Sequence, residues 1–89
     1  METIYMTETR YIKNPNTKTA YIQEEKEMQR ISRIDYSRIT GEDTLKWFRR
    51  LGGTETAQRS YTCRGYLITK LTSTSPDKQT KIIREFNFS

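Results

Sequence analysis

The side chains able to do chemistry in this 89-residue chain are mostly cations and aromatics: sixteen Lys and Arg, six Tyr, three Phe and one Trp, with no His. Histidine is the usual proton shuttle at neutral pH and the commonest metal ligand. Without it, the abundant Ser and Thr hydroxyls lack their usual general base. Adjacent carboxylates occur at Glu24-Glu25 and Glu42-Asp43. A metal-dependent nuclease needs several acids converging on a divalent ion, whereas Glu42 and Asp43 are accounted for as first-turn helix acids. Gly52-Gly53 follows a predicted helix instead of preceding one, the wrong order for cradling a phosphate. The sequence therefore implies no catalytic residue, no metal ligands and no cofactor. The expectation is a protein that binds and is not an enzyme.

The formal net charge is +5, and its distribution along the chain is uneven. Residues 26–70 hold ten cations against five acids, while residues 1–25 hold three cations against four acids. The candidate nucleic-acid-binding set is Arg33, Arg38, Lys46, Arg49, Arg50, Arg59 and Arg64, with Trp47 and Tyr66. Arg30, Lys70, Tyr36 and Tyr61 belong to the same stretch. Cations of this kind neutralise phosphates and release counterions, and aromatic faces stack on unpaired bases. For Trp47 and Phe48 core packing is the first expectation and base contact the second, because so small a domain needs its large side chains inside. No homeodomain, zinc-finger, RRM or helix-turn-helix signature is present, which leaves DNA and RNA equally open.

The same inventory serves a second class. Arg, Tyr and Trp dominate protein–protein hot spots, so a larger protein is the alternative partner, as for a phage or mobile-element accessory that inhibits or adapts another protein. The exposed edge of an N-terminal hairpin is also suited to pairing with a second copy in a homodimer.

The elements that must position these residues follow from local pattern. Ile4 to Ile12 is rich in β-branched and aromatic residues and predicts a strand. Asn14-Pro15-Asn16-Thr17 predicts a turn, with Thr19-Ala20-Tyr21-Ile22 as the return strand. Glu24 to Met28 predicts a helix start or an exposed connection. Ser32 with Asp35 three residues on predicts a short helical turn. Thr40-Gly41-Glu42-Asp43 predicts a capped helix start with the Thr40 hydroxyl as cap, and Asp43 standing in for a capping-box glutamate. Leu45, Phe48 and Leu51 follow at helical spacing, and Gly52-Gly53 supplies the stop. The helix is placed at about 41–51. Arg59 to Cys63 is expected as a short strand or an irregular lead-in, Tyr66 to Thr72 as a strand with a Gly65 bulge, and Lys81 to Phe88 as its hairpin partner. The fold class is α+β, a single domain with a mainly antiparallel sheet and one main helix.

Cysteine and hydropathy bound the rest. The one cysteine, Cys63, has no intrachain partner and is expected as a small buried strand residue. The missing disulfide framework favours a reducing, cytoplasmic compartment. No apolar run is long enough for a transmembrane helix, so no membrane partner is expected. Met1 to Glu8 lacks the basic-then-apolar pattern of a signal peptide.

Overall fold

The computed structural model describes residues 3–17 and 19–89; Met1, Glu2 and Lys18, which enter the charge tally above, lie outside them. The element order is β1 Ile4–Lys13, β2 Tyr21–Ile31, α1 Arg33–Thr40, α2 Glu42–Arg50, β3 Thr54–Thr62, β4 Gly65–Thr74 and β5 Thr80–Phe88. The strands form one antiparallel sheet in the order β2-β1-β5-β4-β3. The α+β class with two flanking hairpins is as expected. Local pattern did not disclose that β1 and β5 pair along nearly their whole length, from Ile4 opposite Phe88 to Ile12 opposite Thr80.

Both helices lie on one face of the sheet. Directly opposed residues of an antiparallel pair share a face, so the register sorts every strand side chain. The helix-bearing face holds Ile4 and Met6 of β1, Phe86 and Phe88 of β5, and Ile68 and Leu71 of β4. These meet Tyr36 of α1 and Leu45 of α2 in the core. Ile68 and Leu71 have opposite parity and still share the core face, because a register shift opposite Gln58/Arg59 makes Thr69 an extra residue. That bulge restores the phase a plain strand would lose. It lies at Thr69 and not at Gly65; Gly65, at φ 129, closes the tight β3–β4 turn instead.

The β4–β5 ladder ends at Lys70 opposite Glu85, although both strands continue along their other partners. The Tyr36 hydroxyl takes over at the split. It donates to the Ile68 carbonyl at 2.8 Å and accepts from the Ile68 N–H at 2.9 Å. Its ring meets Phe86 and Phe88 edge-on, at centroid distances of 5.0 and 5.2 Å. α1 begins as expected, with the Ser32 hydroxyl accepting from the Asp35 N–H at 3.1 Å.

Several local expectations are corrected. Glu24 to Met28 is the middle of strand β2 and neither helix start nor connection, because pairing with β1 overrides a weak helical bias. Residues 54–62 form a full strand, longer than the short strand or lead-in expected from Arg59. The α2 cap is Gly41, which offers no side-chain hydrogen bond. Thr40 is still inside α1, where its hydroxyl donates to the Tyr36 carbonyl at 2.8 Å, so Asp43 has no capping box to complete. Cys63 is exposed, since the two-residue turn Cys63-Arg64 lifts it off the strand. Trp47 is 61% exposed and Phe48 half-buried, because Leu45 fills the α2 core position.

The end of α2 is a Schellman motif. The Gly52 N–H donates to the Arg49 carbonyl and the Gly53 N–H to the Phe48 carbonyl, with Gly52 at φ 95. A Cβ on Gly53 would run into the Phe48 ring. Gly53→Ala is therefore expected to push that ring aside and cost about 1–3 kcal/mol. In a domain of this size each kcal/mol is worth roughly 4–8 °C of Tm, so a melt reads the effect directly, and an unchanged Tm would mean the ring moves freely.

Candidate functional site

The structure divides the sequence-predicted cations into separate groups. Arg33 and Arg38 border a shallow open surface on α1 with Ile34 and Ser37. Lys46 and Arg50 lie one turn apart on α2 beside exposed Trp47. Arg49 is drawn off by Glu42 at 3.5 Å and by the Leu45 carbonyl at 3.3 Å. Arg59 sits 5.0 Å over the Tyr66 ring, with Tyr61 next to it at a ring distance of 6.0 Å. Arg64 is in the β3–β4 turn.

Acids accompany these groups. The helix-bearing side carries Arg10, Arg33, Arg38, Lys46, Arg49, Arg50, Arg59 and Arg84. Among the described residues the same side carries Glu8, Glu24, Glu25, Glu27, Asp35, Glu42, Asp43 and Glu55, an equal number. Ion pairs between these groups include Arg10 with Glu24 and Glu25, Arg84 with Glu8, and Arg49 with Glu42.

The opposite face of the sheet is different. Among the described residues the register places Lys13, Lys26, Arg30, Lys70 and Lys81 there, against one acid, Glu85. No helix covers it. Among the described residues the excess charge therefore sits on this bare face, the remainder being Arg64, Asp77 and Lys78 in turns. Tyrosines lie among its cations. Arg30 is opposite Tyr5, Lys81 is opposite Tyr11, and Lys13 is opposite Tyr21. The Lys81 ammonium also lies 4.4 Å over the Tyr21 ring. The same face carries Thr7, Thr9, Thr54, Thr56, Thr72 and Thr74, with the apolar Met28 and Ile83. Where β4 and β5 part, Thr7, Gln58, Thr69, Lys70, Glu85 and Asn87 line a recess of about 350 Å³ on this side.

Sequence reasoning missed this arrangement because its members come from four strands. Lys13, Lys26 and Lys81 are spread over nearly 70 residues of sequence and look unremarkable singly. The alternation of β1, Tyr5-Thr7-Thr9-Tyr11-Lys13, was the signal that marked one face as polar and aromatic.

The helix side has its own recess of about 270 Å³, walled by Ile39, Trp47, Phe48, Leu71 and Ile82, with Glu55 and Arg84 among the polar lining. Glu55 accepts from the Ser73 hydroxyl through Oε1 at 3.5 Å, while its buried Oε2 has no hydrogen-bond partner among the described residues. Burial pushes this carboxyl above its ordinary value, opposed by the Arg49 guanidinium and the Ser73 hydroxyl. A carboxyl whose folded pKa is raised binds more protons folded than unfolded, so stability falls as pH rises through that range. Glu55→Gln is accordingly expected to raise Tm at pH 7 in dilute protein and to converge on the native chain well below pH 4, where the native carboxyl is protonated in both states. A Tm gain that persisted at low pH would assign the effect to packing.

No described helix is long and apolar enough to cross a membrane. Among the described residues no cluster of three or more His, Cys, Asp or Glu is placed to hold a metal ion. Compared with known proteins, the chain matches no family model, no curated sequence and no solved structure.

Proposed function

We propose that this protein binds single-stranded nucleic acid on the bare face of its sheet, without catalysing a reaction. The observation that carries this reading is the sorting of charge. Lys13, Lys26, Arg30, Lys70 and Lys81 stand on a face with one acid, whereas the helix side is balanced. Phosphate contacts supply most of the affinity for nucleic acid. Tyr5, Tyr11 and Tyr21 among those cations offer rings to unpaired bases, and stacking of this kind tolerates any base. An open antiparallel sheet bearing aromatics is a geometry that suits splayed single strands better than the closed edges of a duplex. The expected helix route is weaker, because Lys46 and Arg50 share α2 with Glu42 and Asp43.

The test is a titration of fluorescent single- and double-stranded DNA and RNA at low and physiological salt. Single strands should bind more tightly than duplex. Five phosphate contacts at about −0.7 each set a log–log salt slope near −3.5. Absence of binding at low salt would reject the proposal, and duplex preference would move the interface away from the tyrosines.

A further inference from the structure

We infer that the β3 edge is a self-association surface, on which a second copy of this chain adds its own β3 antiparallel about a two-fold axis at Ala57. The sheet has two open edges, β2 and β3, and an open edge is a template for another strand. They differ in how they are protected. β2 carries Glu24, Glu25, Lys26 and Glu27 in a row and a bulge at Glu24. Any symmetric antiparallel register centred on residues 24–27 sets a charge opposite its own copy, which is destabilising. β3 runs from Thr54 to Thr62 as a mainly polar strand whose only charges are Glu55 and Arg59.

Those two charges select one register. With the axis at Ala57, Glu55 of each copy faces Arg59 of the other, Thr56 faces Gln58, and Thr54 faces Ser60. Moving the axis to Gln58 sets Arg59 against Ala57 and leaves both charges unpaired. Moving it to Arg59 sets two guanidiniums against each other. The independent observation is Glu55 itself, whose buried Oε2 has no hydrogen-bond partner among the described residues. Arg59 is exposed and stands over the Tyr66 ring, from which it can turn. The occupant is thus complementary in charge to the edge it meets, and each dimer gains two such pairs.

An axis perpendicular to the sheet keeps faces together, so both bare basic faces end on the same side of a ten-stranded sheet. The dimer does not depend on the nucleic-acid reading, and its test uses no nucleic acid.

The experiment is sedimentation velocity on the full chain across a range of concentrations, with R59E, E55R and their equimolar mixture. The native chain should show a concentration-dependent dimer. R59E alone and E55R alone should each associate at least about tenfold more weakly, since like charges then oppose each other twice. The mixture should recover the dimer, because every opposed pair is again a carboxylate and a guanidinium. Circular dichroism checks the fold of each variant; Arg59 is exposed, so R59E decides the matter if E55R fails to fold. A native chain that stays monomeric throughout, or a dimer undiminished by R59E, would overturn the inference.

Discussion

Tyr36→Phe is expected to destabilise the domain by about 2–4 kcal/mol, although it removes one oxygen atom. That oxygen serves both the N–H and the C=O of Ile68, at 2.9 and 2.8 Å, where β4 has lost its β5 neighbour. Ile68 is 5% exposed, so water is kept from replacing the hydroxyl. Leaving a buried backbone donor or acceptor unsatisfied costs about 1–3 kcal/mol each. The predicted fall in Tm is about 10 °C or more for a domain of this size. Tyr36→Ala should be worse, since it also removes the ring that meets Phe86 and Phe88 edge-on. Urea denaturation of the native chain and both variants measures the series. A Tyr36→Phe loss below about 0.5 kcal/mol would show that solvent or a strand shift satisfies Ile68 instead.

The second large effect separates the two faces. Lys26→Glu with Arg30→Glu should weaken single-stranded nucleic-acid binding by about 100-fold at physiological salt, with a shallower salt dependence. Both side chains are exposed on the edge strand β2, opposite Thr9 and Tyr5, so the fold should tolerate the change. Lys46→Glu with Arg50→Glu reverses as much charge on α2 and should change binding by less than about threefold, because that surface is already shared with Glu42 and Asp43. Arg49 is left in place, since its guanidinium holds Glu42 and the Leu45 carbonyl and its loss would confound stability with binding. The reverse outcome, with the helix pair decisive and the strand pair silent, would assign binding to α2 and reject the sheet-face interface.

Local chemistry made much of the architecture legible. The Asn14-Pro15-Asn16 turn, the Ser32 cap, the Gly52-Gly53 stop and the β4–β5 hairpin each stand where their residues demanded, because caps and turns are set by neighbours in sequence. Local pattern failed where a residue's fate depends on strands far away. Nothing near Glu24-Glu25-Lys26-Glu27 says strand; β1 does, by hydrogen-bonding to it. Nothing near Thr69 announces the bulge that brings Ile68 and Leu71 onto one face.

The candidate site follows the same division. The sequence by itself determined a chain rich in cations and tyrosines, with no histidine and an excess positive charge of +5. It also set the alternation within each unbulged stretch of strand, since that is a property of the extended backbone, while the bulges at Glu24 and Thr69 came from pairing. Which strands lie side by side was decided only in three dimensions, by the pairing of β1 with β5. That pairing collects Lys13, Lys26, Arg30, Lys70 and Lys81 on one face and sends Glu8, Glu24, Glu25, Glu27 and Glu55 to the other. The physical reason is that the core residues Ile4, Met6, Ile68, Leu71 and Phe86 must face α1 and α2 together. Once Ile4, Met6, Leu71 and Phe86 are buried beneath the helices, the period of two fixes what the bare face presents.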